Sequence, residues 1–177
     1  MKTFIREILV TLVLAVGIFF ILESTLETSI VVGSSMEPSF QGSQRLLISQ
    51  VSYRFHEPER GDVIILRPSD NPNAIPLIKR IIGLPGESVE INQGKVYIHR
   101  GGVAFALDEP YIKEEPDYTF KSDVIPEGEY FVLGDNRNNS NDSHNGWTVP
   151  RENIIGKTWL SIWPPGEWGA VPDYPLP

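Results

Sequence analysis

The sequence contains no cysteine, and this absence excludes a disulfide scaffold and thiolate metal sites. It identifies no compartment, because a chain without cysteine fits either side of a membrane. Positive charge is also scarce, since 15 Lys and Arg stand against 23 Asp and Glu and leave a net charge of -8. A negative chain without a Lys/Arg cluster is repelled by phosphate backbones, so we expect no nucleic-acid partner.

A sustained helical period is missing beyond residue 30, and short β-branched runs separated by turn residues take its place. The 15 Pro and 15 Gly are typical of strands joined by turns. These patterns predict a mostly-β domain. The predicted strands comprise residues 30–32, 46–51, 63–66, 77–82, 89–91, 95–98, 130–133 and 154–162.

Two turns and one irregular segment organise the predicted strands. The sequence VEINQGKVYI at 89–98 is typical of a β-hairpin in which Gly94 takes a positive φ, and LPGE at 84–87 predicts a tight turn. Residues 101–126 are polar and irregular, so we expect them to form an excursion from the sheet. We assign residues 28–177 to one folded domain.

The amino-terminal segment contains a long apolar run. Residues 8–22 (ILVTLVLAVGIFFIL) carry no charge and make a helix of roughly 22 Å. A bilayer core is about 30 Å thick. Phe4 and Ile5 extend the run, and Arg6 can snorkel to the headgroups, so a span remains feasible. We predict that residues 1–27 form a cytoplasmic stub and an uncleaved membrane anchor, which makes the lipid bilayer a partner.

Two alternatives for this run stay open. A cleaved signal peptide needs a small-residue triplet, but the sequence that follows is ESTLETSIVV. A buried core helix is the other alternative, although the apolar residues run all round the helix. Lys2 and Arg6 precede the run, whereas Glu23 and Glu27 follow it. The positive-inside bias therefore predicts a cytoplasmic amino terminus and a domain on the outer face.

A serine pair follows the first predicted strand, in the sequence VVGSSMEPSF at 31–40. Gly33 allows a tight backbone approach at which a serine can be presented to a substrate carbonyl. Taken alone, two serines after a glycine are more commonly turn residues that cap a strand.

Lys79 lies in PLIKRIIGLPGE, within a predicted strand that has apolar residues on both faces and is therefore expected to be central. A lysine there either snorkels from a strand end or is desolvated, and desolvation lowers its pKa. A neutral lysine amine can take the proton from a serine hydroxyl where no histidine serves.

A run of hydrogen-bonding residues, GDNRNNSNDSHNGWTVP at 134–150, comes directly after the predicted strand 130–133. Polar support for a site is often mounted on a scaffold in this way. In the simpler alternative these residues form turns, and Asp135 forms a loop ion pair with Arg137. No ligand spacing supports a metal site made of Asp135, Asp142 and His144.

Four segments in this order resemble the bacterial type I signal peptidases: GSSMEPS, GDVI, KRIIGLPGE and GDNRNNSNDSH. With the anchor, the resemblance covers nearly the whole chain. It implies a signal-peptidase-like β-rich catalytic domain outside the plasma membrane, held by one transmembrane helix. It further implies cleavage of exported preproteins after small residues at -1 and -3, through an acyl-enzyme, without a metal or cofactor.

The resemblance also implies roles for individual residues. By position, Ser35 rather than Ser34 matches the nucleophile, and Lys79 matches its general base. Ser140 matches the serine that orients this lysine. Asp142, Asp135 and Arg137 match residues that hold the site together. We name Ile30, Val32 and Met36 as candidates for the pockets that admit only small side chains.

Two positions depart from the family pattern. Gly33 stands where some members have a serine that donates to the oxyanion, so the oxyanion hole is expected to depend mainly on the Ser35 backbone N–H. His144 stands where other members carry Arg, and the sequence NSNDSHN resembles the cyanobacterial and plastid members.

The sequence also fits several alternative assignments. His144 could act as the base of a Ser-His-Asp arrangement. Self-cleaving repressor-type peptidases also pair a Ser-Met segment with a lysine, but they require a DNA-binding helix-turn-helix in place of the anchor. An inactive, membrane-tethered β-module is the alternative from another class. Near the carboxyl end, Trp159, Trp163 and Trp168 lie either at the lipid interface or in the core.

Overall fold

The computed structural model describes residues 2–68, 74–172, 174 and 176. It begins with helix α1 (Lys2–Thr25), whose 24 residues exceed the apolar run predicted at 8–22. Thr3–Phe20 is long and apolar enough to cross a membrane, with a mean hydropathy of 2.1, and none of it is buried against the rest of the chain. The alternative of a buried core helix is therefore wrong, and α1 is a candidate membrane span.

The remainder of the described chain is mostly strand, which confirms the predicted fold class. The strands are β1 (Leu26–Ile30), β2 (Arg45–Ser49), β3 (Val63–Leu66), β4 (Leu77–Gly83), β5 (Ser88–Asn92), β6 (Lys95–Arg100), β7 (Val103–Ala106), β8 (Phe120–Lys121), β9 (Glu129–Leu133), β10 (Val149–Pro150), β11 (Ile154–Trp163) and β12 (Gly169–Ala170). A short helix, α2 (Ser52–Phe55), and 3₁₀ turns at Arg137–Asn139, Ser143–Asn145, Arg151–Asn153 and Pro165–Glu167 connect them.

The larger sheet is antiparallel and eight-stranded, in the order β1-β2-β11-β3-β4-β9-β10, with β12 paired to β11. β4 lies between β3 and β9, and all of its residues beyond Leu77 are buried. Apolar clusters lie on either side of β3 and β4, one around Met36 and Ile78 and another around Ile64 and Ile81. The prediction that the Lys79 strand is central is therefore confirmed.

The first strand differs from the prediction. β1 begins at Leu26, directly after α1, and ends at Ile30, because it pairs residue by residue with β2 from Leu26↔Ser49 to Ile30↔Arg45. The predicted strand at 30–32 thus overlaps β1 only at Ile30, and the predicted domain boundary after residue 27 falls inside β1. Gly33, with φ +84°, turns the chain beyond this strand.

The smaller sheet has four antiparallel strands in the order β7-β6-β5-β8. The predicted hairpin is confirmed as β5 and β6, and its turn contains Gly94 with φ +76°. Residues 101–126 lie outside the larger sheet and supply the edge strands β7 and β8 of the smaller one. These strands are short and mostly exposed, so no alternating apolar pattern marked them in the sequence.

Candidate active site

Ser35 and Lys79 lie in hydrogen-bond contact although they are 44 positions apart in the sequence. The Lys79 Nζ atom donates a hydrogen bond to Ser35 Oγ over 2.7 Å and another to the Ile78 carbonyl over 3.0 Å. The lysine reaches the serine from the middle of β4, where the ladder pairs Lys79 with Ile64 of β3. A distance of 2.7 Å is within the range across which a general base can take a hydroxyl proton.

The Lys79 side chain is desolvated rather than snorkelling, since the residue is only 2% exposed. Burial lowers the pKa of its amine, because a charged ammonium is costly away from water. The negative charges of Asp142 and Asp135 oppose this effect, and the balance leaves the pKa below its ordinary value. The amine therefore loses its proton more readily than a lysine in water.

The turn that carries Ser35 is anchored in the core on one side. Met36 is fully buried, and its carbonyl accepts a hydrogen bond from the Phe40 N–H over 2.9 Å. The Glu37 N–H closes the turn by donating to the Ser34 carbonyl over 3.1 Å. The apolar Met36 thus fixes the backbone of the residue before it.

Two asparagines hold the same turn from the loop after β9. Asn136 donates from its backbone N–H to the Ser35 carbonyl over 3.0 Å and from Nδ2 to the Ser34 carbonyl over 3.1 Å. Asn139 Nδ2 donates to Ser34 Oγ over 3.0 Å. The Ser34 hydroxyl is thus engaged by this loop, whereas the Ser35 hydroxyl meets Lys79. The sequence alone did not identify these asparagines as functional, although the segment GDNRNNSND contains several of them.

Asp135 forms a buried ion pair with Arg80, the residue that follows Lys79 in β4. Arg80 Nε and Nη2 donate to the two carboxylate oxygens over 2.9 and 2.7 Å. The Arg80 guanidinium also lies 4.0 Å from the centre of the Tyr111 ring. The alternative in which Asp135 pairs with Arg137 is therefore wrong.

Arg137 pairs instead with Glu109. Its Nη1 and Nη2 atoms donate to the two Glu109 carboxylate oxygens over 2.7 and 2.6 Å, and its Nε donates to the Gly134 carbonyl over 3.2 Å. The Tyr111 hydroxyl also donates to Glu109, over 2.6 Å. The irregular stretch 101–126 gave no pattern that could have identified Glu109 or Tyr111.

The Asp142 carboxylate is fully buried, and its two oxygens contact different residues. Its Oδ2 accepts from the Gly134 N–H over 2.8 Å, and its Oδ1 accepts from the His144 N–H over 3.3 Å and lies 2.6 Å from His144 Nδ1. The His144 ring stacks on Tyr118 with 4.6 Å between the ring centres. His144 is thus directed at Asp142, and within the described ranges no contact joins it to Ser35.

Ser140 lies beside the serine turn, across Gly134. A methyl group added to Gly134 would collide with Ser140 Oγ and with the Ser35 carbonyl, so glycine is needed where the two segments approach. The Ser140 hydroxyl is buried and has no hydrogen-bond partner in the part of the chain that the structure describes. The hydrogen bond from Ser140 to Lys79 that the resemblance implies is therefore absent from the structure, in which Lys79 Nζ donates to Ser35 and Ile78.

A cavity of about 80 Å³ adjoins the Ser35 and Lys79 side chains. The end of β1 and the residues after it line one side, and the residues that lead into β4 line the other. The lining includes Ile30, Val32, Ile75 and Leu77. Met36, the third pocket candidate, is not part of the lining, because its side chain packs in the core under the serine turn.

The three tryptophans near the carboxyl end are exposed. Trp159, Trp163 and Trp168 are 53%, 53% and 66% exposed, so the alternative in which they pack the core is wrong.

Among residues 2–68, 74–172, 174 and 176, the structure contains no group of three or more His, Asp and Glu side chains that could hold a metal ion.

Comparison with known proteins identifies relatives along most of the chain. A family model described as signal peptidase, peptidase S26, matches residues 3–163. A probable signal peptidase I-2 of Synechocystis is 40% identical over 95% of this chain and 76% of that protein. A signal peptidase I of Leptolyngbya laminosa is 41% identical over 96% of this chain and 85% of that protein. The chloroplastic thylakoidal processing peptidase 1 of Arabidopsis thaliana is 32% identical over 86% of this chain and 47% of that protein.

Proposed function

The chain belongs to the signal peptidase family, peptidase S26, and we propose that it cleaves exported preproteins with Ser35 as nucleophile and Lys79 as general base. The observation that carries this assignment is the 2.7 Å contact between Lys79 Nζ and Ser35 Oγ. Burial of Lys79 supports it as well, since a lowered pKa makes the neutral amine available to accept a proton.

The proposed reaction has two steps. Ser35 Oγ attacks the carbonyl carbon at the end of the signal, and its proton passes to Lys79 Nζ. Lys79 then gives that proton to the leaving amine nitrogen as the C–N bond breaks, which leaves an ester on Ser35. In the second step Lys79 takes a proton from water, the resulting hydroxide attacks the ester, and the proton returns to Ser35 Oγ.

The negative oxygen of the tetrahedral intermediate needs a hydrogen-bond donor. The Ser35 N–H has no acceptor among the described residues, so it is available for this role. Gly33 offers no side chain that could add a second donor. A hole that depends mainly on one backbone donor retains part of the usual electrostatic stabilisation.

The substrate segment is proposed to lie extended along β1. This strand is at the edge of the larger sheet, so its outer side is available to pair with a peptide backbone. Alternate side chains of an extended peptide point the same way, and the 80 Å³ cavity lined by Ile30, Val32 and Ile75 has little room for them. Selection of small residues at -1 and -3 follows from exclusion of larger ones.

The proposed location is the outer face of the plasma membrane. Helix α1 supplies a candidate span. Within it, Arg6 precedes the uncharged run at 8–22 and Glu23 follows that run, which gives the charge asymmetry of a cytoplasmic amino terminus. The exposed Trp163 and Trp168 rings, near the end of β11, are proposed to contact the lipid interface. A membrane-spanning α1 and tryptophans at the lipid interface would both hold the site close to membrane-bound preproteins.

Two of the alternatives find no geometric support. In a Ser-His-Asp arrangement the histidine would contact Ser35, but His144 contacts Asp142 and Tyr118. A repressor-type peptidase needs a helix-turn-helix, whereas the α-helices in the described chain are α1 and the four-residue α2.

The proposal is tested with the full chain in detergent and a purified preprotein. Ser35→Ala is expected to abolish cleavage, whereas the neighbouring Ser34→Ala is the matched control and should keep activity within about tenfold, since it loses one hydrogen bond. Mass spectrometry of the product should place the cut after a small residue. Equal cleavage by wild type and Ser35→Ala would contradict the assignment, and an intact preprotein with both would favour the inactive β-module.

A further inference from the structure

The charges around Lys79 are balanced in two different ways. Asp142 and Asp135 both favour the protonated lysine. The charge of Asp135 is compensated by Arg80, which holds both carboxylate oxygens and stays protonated at any physiological pH. In the described part of the chain, His144 is the side chain within ion-pair distance of Asp142 that becomes a cation on protonation.

The contact between His144 and Asp142 is short and well oriented. Nδ1 lies 2.6 Å from Oδ1, and the backbone N–H of His144 donates to the same oxygen. The carboxylate is fully buried, so solvent screens the pair weakly on that side. The imidazole is 22% exposed, so it can exchange protons with water.

The other charged groups near the ring are paired with each other or screened by solvent. Tyr118 stacks on His144, and the charges that act on the Tyr118 hydroxyl are those of Asp142, Arg137, Glu109 and Asp117. Arg137 and Glu109 form a bidentate pair with each other. Asp117 is exposed and therefore screened by solvent. The His144 ring is thus the group nearest to Asp142 whose charge changes with protonation.

We propose that His144 is a positioning residue whose protonation, acting through Asp142, sets the charge that the buried Lys79 amine experiences. A histidine changes charge between about pH 5 and 8, unlike an arginine at the same place. The inference rests on the proposed role of Lys79 as general base.

The direction of the coupling follows from electrostatics. A protonated His144 compensates the Asp142 carboxylate, which then favours the Lys79 ammonium less. The amine consequently loses its proton at a lower pH. A neutral His144 donates its Nδ1–H to Asp142 and orients the carboxylate, but the carboxylate keeps its full negative charge. That charge holds the proton on Lys79 more firmly.

Two variants separate charge from hydrogen bonding. His144→Arg supplies a permanent cation, and His144→Gln keeps a donor without charge; His144→Lys serves as a second cationic variant. The measurements are the pH dependence of kcat/KM for preprotein cleavage and, in a Ser35→Ala background that cannot cleave, the titration of the Lys79 ¹³Cε resonance, assigned with Lys79→Met.

At acidic pH each variant keeps a fraction of its plateau kcat/KM. We expect this fraction to be about threefold or more larger in His144→Arg than in His144→Gln. The Lys79 resonance should titrate at lower pH in His144→Arg than in His144→Gln. Wild type should follow the cationic variant at acidic pH and the neutral one at alkaline pH.

The outcomes distinguish this inference from the function on which it rests. Equal Lys79 titrations in the cationic and neutral variants would overturn the coupling, whatever the activity. A shifted Lys79 titration without a shifted activity profile would support the coupling and contradict the role of Lys79 as base. Parallel shifts in both measurements support both proposals.

Discussion

Arg80 and Asp135 form a bidentate ion pair directly behind the candidate base, and both side chains are almost completely buried. Arg80 follows Lys79 in β4, and Asp135 begins the loop whose asparagines hold the Ser35 turn. The pair therefore ties the strand of the candidate base to the loop that positions the candidate nucleophile.

Removal of one partner of this pair should destabilise the fold. Asp135→Asn leaves the Arg80 charge buried without compensation, so we expect the free energy of unfolding to fall by about 3 kcal/mol or more. Denaturant unfolding in detergent measures this loss. The exposed Asp123→Asn is the control and should stay within about 0.5 kcal/mol. An unchanged stability in Asp135→Asn would show that the ion pair does not hold the two segments together.

Gly134 should not tolerate a side chain. Its methyl group in Gly134→Ala would collide with Ser140 Oγ and the Ser35 carbonyl, so the serine turn must shift. A misplaced nucleophile commonly costs about a hundredfold in rate, and we expect at least this loss in kcat. Gly166→Ala, which meets no atom within 4 Å, is the matched control. Full activity in Gly134→Ala would contradict the close packing of the two segments.

The Asn136 side chain should matter for catalysis more than for stability. Asn136→Ala removes the hydrogen bond to the Ser34 carbonyl, which costs about 1 kcal/mol in stability. Because the lost bond fixes the turn beside the nucleophile, we expect kcat to fall by about tenfold or more, with KM changed less. Asn92→Ala, at the exposed end of β5, is the comparison. A change confined to KM would argue against a role in positioning Ser35.

Shorter side chains in the lining of the cavity should relax the proposed preference for small residues. Ile75 and Val32 line the cavity and are mostly exposed, so their replacement by alanine has little effect on the core. We expect the variants to cleave preproteins with valine or leucine at -1 or -3 at least about tenfold faster than wild type does, since added space is worth about 1 to 3 kcal/mol. Val103→Ala, exposed on β7, should leave the preference unchanged.

The buried Lys79 amine should also make stability depend on pH. Its pKa in the folded protein is lowered by burial, so between this pKa and the higher unfolded one the unfolded chain binds more protons. The free energy of unfolding should therefore rise with pH through that window and level off above the unfolded pKa. Lys79→Met should lack this rise and be the more stable protein at neutral pH. Identical pH dependence in both proteins would contradict the desolvation of Lys79.

The sequence predicted the features that have a periodic or compositional origin. The apolar residues on both faces of the Lys79 strand predicted that this strand is central, and Gly94 predicted the β5–β6 hairpin. The partners of the polar residues were not predictable, because Arg80–Asp135 and Arg137–Glu109 join segments far apart in sequence. Met36 illustrates the same limit, since nothing local shows whether an apolar side chain after a serine faces the core or a cavity.

The most direct test of the central claim compares single-turnover cleavage of a preprotein by Lys79→Ala and by His144→Ala. The account predicts that Lys79→Ala loses about a thousandfold or more in rate, because the loss of the base also leaves the nucleophile unactivated, while His144→Ala keeps much of the wild-type rate at alkaline pH. Substantial cleavage by Lys79→Ala together with an inactive His144→Ala would contradict the lysine assignment.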